Sequence, residues 1–161
     1  MTIFGKSVSE YFAFQRAIVI LIIVVALARL TLSLAGFPTS SVKWISVTTM
    51  GLIGLVYCAI QVPRSGFGGY KHLLPLLVMQ SATGNLIVAA AIALAIATGT
   101  DNIYSLPEYS GGADGKTWPH AGAHIVLGVI VGPLVAWLLG SGIMFVVKKV
   151  SPRNPGSPAA A

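Results

Sequence analysis

Hydrophobic residues run through this chain in four long blocks separated by short polar breaks: Ala17–Phe37, Lys43–Val62, His72–Thr98 and Ala121–Val147. At about 1.5 Å of rise per residue, each block can cross a hydrocarbon layer roughly 30 Å thick as a helix, the one open-ended element that satisfies its own backbone polar groups there. The pattern predicts an all-α integral membrane protein: a four-helix transmembrane domain over residues 17–150, after an interfacial segment over 1–16 and before a Pro/Ala-rich tail over 151–161. A small-residue stretch at Ala26-Leu27-Ala28 resembles a cleavage site, but apolarity resumes after Arg29 through Leu34, so the first block is expected to be a retained anchor.

The breaks organise the chain. Tyr11, Phe12 and Phe14 ahead of Arg16 suit an amphipathic turn at the headgroups. Pro38 is expected to stop the first helix and the serines after it to cap the second. The glycine-rich stretch 63–71 lacks the Gly-Lys-Ser or Gly-Lys-Thr ending and the preceding strand of a phosphate-cradling loop and reads as a flexible connector. Residues 99–119, with Tyr104, Tyr109 and Trp118 among Asp101, Glu108 and Asp114, are long and aromatic enough to form a cap over the bundle mouth. The tail, with Pro152, Pro155 and Pro158, has no means of building a core and is expected to be disordered in isolation.

Composition agrees with the blocks: 55% hydrophobic residues and 9% charged leave more apolar surface than a 161-residue soluble core can bury. The net charge of +6 does not point to nucleic acid, because the basic residues sit at block ends and form no stripe interleaved with aromatics. They set orientation instead. The side holding both termini and the 63–71 loop carries Lys6, Arg16, Arg64, Lys71, Lys148, Lys149 and Arg153, whereas the other side has only Lys43 and Lys116. Both termini are therefore expected in the cytoplasm, with the protein in a bacterial inner membrane. The single cysteine, Cys58, excludes an intrachain disulfide and a CxxC redox pair.

Candidate chemistry lies where polar residues interrupt the blocks. Arg29 sits about seven residues, roughly 10 Å, inside the outer end of the first block, deep enough to require snorkelling or a partner. Gln80, Ser81, Thr83 and Asn85 cluster near the middle of the third block, with Ser81 and Asn85 on one helical face. Thr31, Ser33, Ser46, Thr48, Thr49, His120 and His124 fall at similar outer depth. His120 and His124, one turn apart, could share a metal, with Asp114 or Glu108 completing the set, although no further ligand stands at fixed spacing. His72 lies across the bilayer from them and cannot join them in one protomer.

Gly128 and Gly132 form a small-xxx-small pattern that predicts a close helix contact, within the chain or with a second copy or membrane partner; Pro133 should kink that helix. No internal repeat supports an inverted-repeat transporter. The expected role is a non-enzymatic bundle whose outer half binds or passes a small polar or anionic solute through Arg29, Gln80, Asn85, His120, His124 and Trp118. The alternatives are a quinone- or metal-binding subunit of a redox assembly, using His120, His124, Arg29 and Trp118, and a purely structural accessory subunit.

Overall fold

A computed structural model describes residues 1–150; the expected disordered tail over 151–161 lies outside the described residues. The chain opens with a two-stranded antiparallel hairpin, β1 (Thr2–Ile3) and β2 (Lys6–Ser7), turned by Phe4 and Gly5, both at positive φ as a tight two-residue hairpin turn requires. Helix α1 (Val8–Leu34) follows at once, and a short turn, α2 (Thr39–Val42), leads to α3 (Val47–Arg64). Helix α4 (Tyr70–Thr98) is joined through the cap to α5 (Trp118–Ala123), a π-helical segment (His124–Val131) and α6 (Gly132–Val150), which run on as one rod. Four helical stretches, 8–34, 39–64, 70–98 and 118–150, are long and apolar enough to cross a membrane.

The first helix starts well before residue 17, and the expected interfacial segment is divided between the hairpin and α1. Ser7 supplies the reason: its hydroxyl accepts from the Glu10 N–H while the Glu10 carboxylate accepts from the Ser7 N–H, a reciprocal cap that begins the helix at Val8. Tyr11 is fully buried; it packs on Phe67 and donates to the Ile3 carbonyl. The buried residues Tyr11, Gln15, Val19, Ile22, Ala26 and Arg29 make one stripe along α1. Gln15 has non-helical φ/ψ, so the helix bends where that side chain turns inward.

The second long helix starts at Val47, not Lys43, because Ser46 caps it through the Thr49 N–H, while the serines after Pro38 lie in α2. Helix α4 packs against α1, α3, α6 and the π segment, making it the central element. One apolar cluster, including Tyr11, Leu55, Cys58, Leu73, Leu76 and Met144, fills the end near the hairpin. Another, including Val42, Val88, Ile92, Ile103, Tyr104 and Ala121, lies beneath the cap. Outward faces keep Ile20, Val24, Leu138, Leu139 and Phe145 exposed, as the four apolar blocks require.

Pro133 does not simply kink its helix. The Gly132 N–H bonds the Leu127 carbonyl, five residues back. In the same register the next donor would serve the Gly128 carbonyl, but Pro133 has no N–H. The Ser81 hydroxyl of α4 donates to that carbonyl instead, at 2.6 Å. The close approach expected of the glycine pattern is thus made within the chain: a side chain at Gly128 would run into the Asn85 amide, and Gly132 also faces Ser81.

Candidate functional site

Between the two apolar clusters lies a cavity of about 380 Å³, walled by Ile22 and Arg29 of α1, Val47, Thr48, Gly51, Leu52 and Leu55 of α3, Leu77, Gln80, Ser81, Gly84, Asn85 and Val88 of α4, His124 of the π segment and Ala136 of α6, and closed above by Tyr104 and Tyr109 of the cap. Four of the residues singled out in the sequence, Arg29, Gln80, Asn85 and His124, meet here from three different helical segments. His120 is one turn before His124 and does not line the cavity, while Trp118 is 67% exposed at the start of α5 and stands apart from it. Thr31 is exposed, and of the outer hydroxyl residues only Thr48 reaches the wall.

Arg29 is the exceptional side chain. It is buried, its Nε has no hydrogen-bond partner, and no carboxylate among the described residues lies within ion-pair distance. Tyr104 and Tyr109 cover its guanidinium, with the carbon centre 5.3 and 4.9 Å from the two ring centroids. Cation–π contacts of this kind contribute about 0.5–2 kcal/mol each, whereas a charged arginine deep in a membrane costs about 2.5–3.5 kcal/mol even on the most lenient scale. Stacking therefore offsets the burial without supplying a counter-charge. Tyr104 is not that counter-charge either: burial pushes its phenol up to about 12 against the opposing pull of Arg29, and the neutral hydroxyl donates to the Ala26 carbonyl at 3.0 Å. Of the cap's acids, Asp101 pairs with Lys116 at 2.6 Å and Asp114 lies 4.0 Å from the same lysine, while Glu108 is exposed and in no ion pair among the described residues.

The rest of the polar wall is internally ordered. Asn85 donates to the Ser81 carbonyl, which turns its Oδ1 toward His124 Nδ1 at 2.9 Å; that ring nitrogen must then carry the proton and donate. His120 Nδ1 faces the Gly115 carbonyl at 2.9 Å and must donate as well. Both rings, with centroids 5.2 Å apart, thus have Nε2 left as the acceptor when neutral, the tautomer metal-bound histidines adopt. Two nitrogens do not complete a metal site, and among the described residues no three or more His, Cys, Asp and Glu side chains are grouped to hold an ion. Asp114 and Glu108 are not brought to the pair; Asp114 faces Lys116.

At the cavity floor, Gln15 joins the network. Its Nε2 donates to the Leu76 carbonyl at 3.1 Å, which presents its Oε1 to Gln80 Nε2 at 2.7 Å. Gln80 Nε2 also approaches Cys58 Sγ at 3.3 Å, and Gln80 Oε1 is left buried without a partner. Sequence reading missed Gln15 because the interfacial aromatics beside it suggested a surface turn; the four-residue spacing of Tyr11, Gln15 and Val19 was the available signal. The stacking of Tyr104 and Tyr109 on Arg29 had no local signal beyond the aromatic content of the cap.

No protein-family model matches the chain, and neither a curated protein nor a solved structure matches it significantly.

Proposed function

We propose that the chain is a multi-pass membrane protein of a bacterial inner membrane, with both termini cytoplasmic, and that its outer-half cavity binds or passes a small anionic solute at Arg29. The observation that carries this reading is a buried arginine, facing a cavity, with no counter-ion within ion-pair distance among the described residues. A carboxylate or similar group entering the cavity would form charge-assisted hydrogen bonds with the guanidinium in a low-dielectric setting, where such bonds are strongest. Thr48, Asn85 and His124, which line the same cavity, would orient the remainder of the solute.

The test is thermal stability of the purified protein across a set of small carboxylates and inorganic anions, comparing wild type with Arg29→Gln and Arg29→Lys. A ligand at about 100 times its Kd stabilises by about 2.7 kcal/mol, easily read as a shift in melting temperature. The shift should vanish in Arg29→Gln and survive in part in Arg29→Lys. Without ligand, Arg29→Gln should melt at the same temperature or higher, since it removes an uncompensated buried charge. A protein that no anion stabilises, and that Arg29→Gln markedly destabilises, would make Arg29 a structural residue and end this reading.

A further inference from the structure

The Tyr104 side of the cavity roof is fastened down, whereas Tyr109 is 38% exposed and one side wall is thin. Asn102 Nδ2 donates to the Ala91 carbonyl at 2.8 Å, its Oδ1 accepts from the Tyr104 N–H at 3.0 Å, and the Tyr104 hydroxyl reaches Ala26. These groups are buried along with Ile103 and Ser105, so lifting the cap would break several hydrogen bonds and expose apolar surface together. Helix α3, by contrast, packs on α1, α4 and α6 but makes no substantial contact with the π segment. Leu52, a wall residue of the cavity on α3, is 57% exposed, and Leu127 on the π segment is 59% exposed. An open depression of about 400 Å³, lined by Ala123, Leu127 and Gly128, adjoins the cavity and shares Asn85 and His124 with it.

The way in is thus apolar and opens on a face that the hydrophobic blocks would place in lipid, while the end point is a buried cation. We infer that the ligand is an amphipathic organic anion, a long-chain carboxylate, that enters sideways from the bilayer: its head group reaches Arg29 and its chain leaves between α3 and the π segment. This rests on the anion-binding reading above and adds to it the class of solute and its route. Arg29 supplies the charge complementarity, and Ile22, Leu52, Leu55 and Val88 supply walls that a fully hydrated ion would not need. His124 and Asn85 stand at the boundary of the two cavities, where passing head groups would meet hydrogen-bonding partners before the guanidinium.

The full chain in phosphatidylcholine vesicles would be photolabelled with hexadecanoate bearing a diazirine toward its methyl end, and the labelled residues mapped by mass spectrometry. Label is expected around Leu52 and Leu127, removed by excess hexadecanoate but not by its methyl ester. Arg29→Gln should lower it about tenfold, the loss expected for one charge-assisted contact, and Arg29→Lys should restore part of it. Leu52→Trp, which narrows the gap without touching Arg29, should slow labelling several-fold; the melting temperature of each variant confirms that it is folded. Equal competition by the neutral ester, or labelling indifferent to Arg29, would overturn the inference. If butyrate stabilises the protein in an Arg29-dependent way while the long-chain probe leaves no specific label, the solute is a water-borne one and only this inference fails. If neither binds, both readings fall.

Discussion

Gly54 shows how an absent side chain holds a network in place. A Cβ there would collide with Gln80 Oε1 and the Ile18 side chain. Gln80 cannot swing away freely, because its Nε2 donates to Gln15, whose own orientation is set by the Leu76 carbonyl. Gly54→Ala should therefore destabilise the protein by about 1–3 kcal/mol, combining overpacking with a broken buried hydrogen bond. The collision is with the amide, so the cost should fall in a Gln80→Ala background. Denaturation of the four proteins of this double-mutant cycle in detergent checks it; equal costs in both backgrounds would mean that the strain lies against Ile18 instead.

The π segment is an element defined by a missing donor. Pro133 leaves the Gly128 carbonyl without its in-register partner, and Ser81 fills the place from a neighbouring helix. Ser81→Ala should cost about 1 kcal/mol, the ordinary range for an interhelical hydrogen bond in a membrane protein. Pro133→Ala restores an N–H that can serve that carbonyl, so the Ser81→Ala penalty should shrink when the two changes are combined. Thermal melts of the single and double variants measure the coupling. Position matters along the same rod: Gly128→Ala should destabilise through the Asn85 amide, while Gly142→Ala, which meets no atom within 4 Å, should be neutral or stabilise by up to about 1 kcal/mol through helix propensity.

Across the whole molecule, orientation is the testable property. The basic residues gather at the end that holds the hairpin and the 63–71 loop, and the cap with its acids lies at the other. Glu108, exposed on the cap, offers the reporter position. Glu108→Cys in a Cys58→Ala background, which removes the chain's one native thiol, should react with a membrane-impermeant thiol reagent added to intact cells, because position 108 is exposed. Reaction only after the cytoplasmic side is opened would reverse the orientation and place the cavity's Arg29 end toward the cytoplasm.

The sequence by itself determined the four long apolar helices, since a run of about 20 apolar residues carries its meaning locally and needs no partner to be read. It also marked Arg29, Gln80, Asn85 and His124, because a polar residue inside such a run is costly wherever the helix packs. Tertiary structure decided which of them share a cavity and which, like Trp118, face away, because that depends on helix rotation and depth, to which hydropathy is blind. It also placed Gln15 inside, by extending α1 through Ser7 and Glu10, and turned the glycine pattern of the last helix onto α4. Most of all, only the fold could bring Tyr104 and Tyr109 over the guanidinium 75 and 80 residues away while leaving no carboxylate among the described residues within ion-pair distance of it. A charge left alone is a property of everything around it, and no stretch of sequence contains that information.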